Sequence, residues 1–231
     1  MVEVAIHFVE NFWLVKDVLY FCPKFTLLLI INNKMTHPLH KRFNSFGLLT
    51  EAEITHTLSY FKPKSYKTGK ILVNFGEIND KLYFIEKGIL REFSEQEQEQ
   101  EQEQDNTITH WLMPENNFEY LVDSFWEQKP SDIALEVIED AKLWYITKTD
   151  MDKLYVEFPQ LNVIGRILLE ENLKKYERYN TIIRKSPEIR WQWFNDHYAG
   201  LANRVLVGHI ATFLHMHRVT LSKVRSKSRK K

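Results

Sequence analysis

Val205-Leu206-Val207-Gly208-His209-Ile210-Ala211-Thr212-Phe213-Leu214-His215-Met216-His217-Arg218-Val219-Thr220-Leu221-Ser222-Lys223-Val224-Arg225 is the stretch whose reading decides the fold. At helical spacing Ile210, Ala211 and Leu214 form one apolar face, and Met216, Leu221 and Val224 form a second. The small side chain of Ala211 lets a second helix cross closely over the first. Two short helices, a tight turn and an exposed face on the second helix make a helix-turn-helix pattern. That face offers Arg218, Val219, Ser222, Lys223 and Arg225. Arg and Lys can bond guanine edges, and Thr220 and Ser222 suit phosphates or bases.

An ordinary helical hairpin shows the same apolar spacing, so charge has to separate the two readings. The whole chain has 31 Lys/Arg and 31 Asp/Glu, a formal net charge of zero. The zero hides a split: residues 1–160 carry −10 and residues 161–231 carry +10. From Arg204 to Lys231 there are eight basic residues and no acidic one. Such an asymmetry points to a polyanion at the basic end. Double-stranded DNA is therefore the expected partner, with Arg204, Lys227 and Arg229 at phosphates.

Upstream, Ser186-Pro187-Glu188 stops one helix and starts the next, with Ser as N-cap and Pro at the first helical position. Before it, Leu161, Ile164, Leu168, Asn172, Tyr176 and Tyr179 put one stripe on a helix of about 25 residues beginning near Pro159. A long helix with a narrow stripe pairs with a second copy of itself, so a homodimer is expected; packing of that stripe against its own chain is the other reading. Ile189, Trp193 and Phe194 face a small core.

Further upstream the texture is that of short strands with glycine corners. Ile71–Val73, Leu82–Ile85, Ile89–Phe93, Thr107–Leu112 and Lys142–Ile146 read as strands of an antiparallel barrel or roll. Gly69, Gly76 and Gly88 stand between the first of them. Thr50-Glu51-Ala52-Glu53 is a capping box that opens a helix to about Phe61. Glu95–Gln104 is five Glu-Gln repeats without an apolar residue, which predicts a disordered loop between two strands. The fold class is thus α+β. The expected organisation is an extension over 1–34, a roll over 35–148 with the loop at 95–104, a dimerisation helix region over 149–185, and a DNA-binding domain over 186–231.

The apolar blocks Val18–Cys22 and Phe25–Ile31, divided by Pro23 and Lys24, are each too short for a spanning helix of about 20 residues, and no membrane is expected. Met35 is the expected start, with 1–34 as an upstream extension; an interfacial anchor is the alternative. A single cysteine, Cys22, excludes an intrachain disulfide and a cysteine zinc cluster and suits a reducing cytoplasm. His215 and His217 lie on different faces of a helix, so they are not expected to hold a metal. Neither a nucleophile elbow nor a phosphate or dinucleotide loop is present, and no enzyme signature is found. Glu136, Glu139 and Asp140 read as a solvated acidic turn, and the six Trp as packing residues.

With these elements in place the chain resembles the Crp/Fnr transcription regulators, and most closely the branch found in Bacteroidetes-type bacteria. The resemblance runs from about Phe46 to Arg225. It rests on Tyr66–Gly69, Tyr83-Phe84-Ile85-Glu86-Lys87-Gly88 with Arg91, Gln128-Lys129-Pro130-Ser131, Glu136–Asp140, and His209-Ile210-Ala211 with Thr220–Arg225. It implies an eight-stranded cyclic-nucleotide-binding-like roll, a long dimerisation helix and a C-terminal DNA-binding domain. It further implies a near-palindromic operator, and adds RNA polymerase and a small effector as partners.

In nucleotide-binding relatives a short helix after a Gly-Glu pair and an Arg-Ser/Thr-Ala triplet cradle the cyclic phosphate. The matching stretch here runs Phe118–Ile133, without glycine and with Ser131 or Asp132 where the phosphate Arg would stand. Phe118, Glu119, Lys129, Pro130 and Ser131 are the candidate pocket residues. Cyclic AMP in the usual mode is not expected, no cofactor is assigned, and the effector is unnamed. In the family Gly is common where His215 stands, Ser or Thr where His217 stands, and Glu where Val219 stands. The rival reading is a roll module without DNA activity that binds a small ligand or a protein.

Overall fold

The computed structural model describes residues 37–95 and 107–228. The extension over 1–34, the start at Met35, the Glu-Gln run beyond Glu95, and Arg229 lie outside the described residues. Two helices lead in, α1 (Pro38–Asn44) and α2 (Glu51–Ser59). The capping box forms as expected: Thr50 Oγ1 accepts from the Glu53 N–H, and the Thr50 N–H donates to Glu53 Oε2 at 2.7 Å.

One antiparallel sheet follows, built from β1 (Lys62–Tyr66), β2 (Ile71–Val73), β3 (Lys81–Glu95), β4 (Thr107–Met113), β5 (Phe118–Glu119) and β6 (Ala134–Thr147). Its main path runs β1-β6-β3-β4, with β2 on β6 and β5 on β3. The sheet has six strands among the described residues where eight were expected. The difference lies in β3 and β6, long strands that pair with each other through register shifts between Ile85 and Leu90. The stretches Leu82–Ile85 and Ile89–Phe93, read from sequence as two strands, are one strand bent at a bulge. Gly88 makes the bend: its φ is +97°, and a Cβ there would stand 2.8 Å from the Ala141 Cα. β1, with the sequence KPKSY, has no alternating apolar pattern and was not legible before pairing with β6.

Beyond the sheet come α3 (Val122–Glu127), inserted between β5 and β6, then α4 (Lys148–Glu157), α5 (Gln160–Ile182) and α6 (Pro187–His197). The last pair is α7 (Val207–Phe213) and α8 (Arg218–Ser228). Three apolar clusters hold these elements. One joins α1, α2, α4 and the start of α5 to the sheet through Leu39, Ile54, Phe84, Leu154 and Ile164. A second lies within the roll around Ile85, Leu90, Leu135 and Leu143. The third joins α6, α7 and α8 to Ile89 and Leu112 of the roll.

The long helix corrects one expectation. Leu161 and Ile164 are buried in the first cluster and Tyr179 in the third, so much of the stripe read from sequence packs on its own chain. The apolar side chains that α5 leaves exposed are Val163, Leu169, Leu173 and Tyr176. The last three repeat at i, i+4 and i+7 and share one helical face. No helix of the described residues is long and apolar enough to cross a membrane.

Candidate nucleic-acid interface and the roll pocket

The turn between α7 and α8 is built from backbone bonds that a glycine would ordinarily favour. The Met216 N–H donates to the Ala211 carbonyl at 2.9 Å, and the His215 N–H to the Thr212 carbonyl at 3.0 Å. This is a Schellman cap, whose penultimate position needs a left-handed residue. His215 fills it at φ +50°. Arg190 of α6 holds the turn from outside, donating from one Nη to the Leu214 and His215 carbonyls at 2.7 and 2.8 Å. His217 then replaces the usual hydroxyl cap: its Nδ1 accepts from the Val219 N–H at 3.3 Å.

α8 seats Leu221 and Val224 against Ile210, Ala211 and Leu214 in the third cluster, as the spacing predicts. The opposite face is exposed and carries Arg218, Val219, Ser222, Lys223, Ser226 and Lys227. No acidic residue lies on α8. Glu188, at the start of α6, has its carboxyl held below the usual range by its own backbone N–H and by the Ser186 hydroxyl, with the Lys227 charge adding to this. Thr220 is half-buried. Arg225 is also half-buried; its guanidinium lies 5.2 Å from the Trp191 ring centroid and donates to the Ala202 carbonyl.

Arg204 departs from the phosphate contact expected of it. Its guanidinium is held by Glu115, with Nη2 at 2.5 Å from Oε1, and by Glu139, with Nε at 2.8 Å from Oε2. Both carboxylates belong to the roll, so Arg204 ties the carboxy-terminal helices to the sheet. Thr109 and Thr212 add a hydroxyl pair at 2.9 Å between β4 and α7. Arg91 lies beside it, with Nη1 3.2 Å from His209 Nε2 and from Glu136 Oε2. The acidic turn expected at 136–140 is therefore strand β6, with each carboxylate in an ion pair; Asp140 pairs with Lys67 at 2.6 Å.

The five candidate pocket residues divide. Phe118 and Glu119 line a cavity of about 680 Å³ between the sheet and α5, with Glu92, His110, Asn172 and Tyr176. Lys129, Pro130 and Ser131 do not line it. Pro130 bridges to Ile78, Ser131 exchanges backbone bonds with Gly76 and Glu77, and Lys129 pairs with Glu127 at 2.8 Å. Neither Lys nor Arg lines this cavity among the described residues.

Its charge is carried by Glu119, which is buried, and Glu92 beside it. Burial, the Glu92 charge and their shared hydrogen bond push the Glu119 carboxyl well above its usual range. Both carboxyls of the pair are raised, and Glu119 the more. A carboxyl raised on folding contributes stability below its unfolded value near 4.5 and loses that contribution as pH rises through the folded value. Glu119→Gln should therefore raise the melting temperature at pH 8 by about 2–6 °C. The gap should close toward pH 5; equal melting at pH 8, or a gap that widens in acid, defeats this account. Glu92 was not legible before folding, because it lies far from Glu119 in the chain and the two line one cavity only in the folded roll.

No protein-family model and no curated protein sequence matches the chain. Solved structures do, and the likeness is one of fold, a roll followed by a long helix and short carboxy-terminal helices. CLP of Xanthomonas campestris, described as a c-di-GMP-responsive global regulator, is 15% identical with a TM-score of 0.60, over 78% of this chain and 92% of that one. FixK2 of Bradyrhizobium japonicum is 14% identical with a TM-score of 0.61, over 74% and 85%. A protein from Eubacterium rectale assigned to the Crp/Fnr family is 13% identical with a TM-score of 0.58, over 80% and 85%.

Proposed function

We propose that the chain is a DNA-binding transcription regulator of the Crp/Fnr type that acts as a homodimer and carries out no chemistry of its own. The observation that carries this reading is the exposed face of α8, with Arg218, Lys223 and Lys227 and no acid on the helix, presented by a well-capped turn. α8 is the element that enters the major groove. Arg218, Ser222 and Lys223 are within the exposed face that would meet base edges, and Lys227 and Arg229 serve phosphates. Arg225 and Arg204 support the helices through Trp191 and the roll carboxylates.

The face of α5 formed by Leu169, Leu173 and Tyr176 is the surface through which two copies pair. Two-fold pairing sets recognition helices about 34–36 Å apart and calls for a near-palindromic operator. Light scattering should give twice the 27.7 kDa of one chain. The roll cavity does not suit cyclic AMP in the usual mode: the Glu92–Glu119 carboxyl pair would face its phosphate, and neither Lys nor Arg is among the cavity's described lining.

The test is a gel shift against fragments of the protein's own promoter region at stated salt. Retardation that weakens steeply as salt rises supports the reading; absence of retardation of any duplex in dilute buffer ends it. Lys223→Ala should relax preference for the selected site by about 1–3 kcal/mol. An equal loss on random DNA would assign Lys223 to phosphate alone.

A further inference from the structure

A second cavity, of about 330 Å³, lies on the other side of β5, among α1, α2, α4 and α5. Its size is within the range of about 300–1,000 Å³ for small-molecule sites. Most of the wall is apolar, supplied by Phe43, Phe61, Phe118, Trp126, Met151 and Leu154. Polar groups reach it from α1, α2, α5 and the turn before β5, several of them donors. Arg42 gives one Nη to Glu171 at 2.5 Å, while its Nε is buried and makes no hydrogen bond among the described residues. Thr57 is 1% exposed, and its hydroxyl also makes none. Lys175 Nζ donates to the neutral Asn117 Oδ1 at 3.1 Å. Burial and the Arg42 charge press the Lys175 ammonium below its usual range.

Arg42, part-buried and paired with Glu171, and Lys175, whose side chain reaches solvent, thus stand together at the rim of an apolar chamber. Buried donors without an acceptor destabilise the site, and a bound anion that accepts from them would remove that cost. We infer that this cavity binds an amphipathic monocarboxylate, a medium-chain fatty acid, with its chain among the aromatic side chains and its carboxylate accepting from Arg42 Nε and Lys175 Nζ. The site adjoins the roll cavity through Phe118, Tyr120, Leu169 and Asn172 but includes neither Glu92 nor Glu119 nor any residue of α8, and it stands whether or not the chain binds DNA. The match is one of chemistry: the roll cavity has carboxylates and lacks Lys and Arg among its described lining, whereas this one has the cations and the unmet donors.

Calorimetry of the full chain with decanoate, held below its micelle-forming concentration, tests the assignment, with decanol as the neutral probe. Saturable one-to-one binding of decanoate, at least tenfold tighter than decanol, is expected. Lys175→Met should weaken decanoate at least tenfold and leave decanol unchanged. Met151→Trp, which fills the chamber, should abolish both; should that variant not fold, the Lys175→Met comparison decides alone. Absence of saturable heat with decanoate, or decanoate binding indifferent to Lys175→Met, overturns the inference.

Discussion

Replacing Phe213 by Ala is expected to cost the fold about 3–5 kcal/mol. Phe213 is fully buried at the end of α7. Its ring stacks on Tyr179 of α5 at 5.0 Å and meets Trp111 of β4, Phe194 of α6 and Tyr198 at 5.5–6.0 Å edge-on. One side chain thereby touches the roll, the long helix and the carboxy-terminal helices. Truncating it leaves a void that stiff aromatic neighbours cannot collapse into. The Tyr179 hydroxyl donates to the Phe213 carbonyl at 2.7 Å, which pins the backbone and hinders relaxation further. The urea midpoint should fall by at least about 1 M, and DNA retardation should be lost at temperatures where the parent chain still binds. A cost under about 1 kcal/mol would show that this junction is loose.

Gly88→Ala is expected to cost about 2–5 kcal/mol, from a strained backbone and from overpacking. A Cβ at Gly88 meets the Ala141 Cα and Cβ at 2.8 Å and the Asp140 carbonyl at 2.9 Å, and backbone atoms cannot swing away. The effect should reach the carboxy-terminal helices as well. The Gly88 N–H donates to Glu115 Oε1 at 3.1 Å, and Glu115 also holds Arg204. Moving β3 therefore moves the carboxylate that ties those helices to the roll. Urea unfolding should show the loss, and amide exchange should rise around Arg204 before global unfolding; unchanged stability would mean that the bulge accommodates a methyl.

The local features of this protein were legible in its sequence because they depend on residues close together in the chain. The Thr50 capping box needs only four positions, and Ser186-Pro187 needs two. The α7–α8 pair follows from apolar residues at helical spacing, and the acid-free stretch after Arg204 is a property of composition. Even the cost of a histidine at the turn could be anticipated, since position 215 must be left-handed for the second helix to cross over Ala211.

Tertiary structure alone decided which of two possible partners each long side chain took. Arg204 reads as a phosphate contact in a basic run, yet Glu115 and Glu139, distant in sequence, capture it. Leu161, Ile164 and Tyr179 form a plausible pairing stripe, but the roll and the carboxy-terminal helices bury them first, leaving Leu169, Leu173 and Tyr176 outside. Lys129, Pro130 and Ser131 stand close to Glu119 in the chain and away from its cavity in space, because α3 intervenes between β5 and β6. Periodicity and capping are short-range and written in single segments. Ion pairing, burial and cavity chemistry arise only when a sheet with crossed strand order brings distant segments together, and no window of sequence contains them.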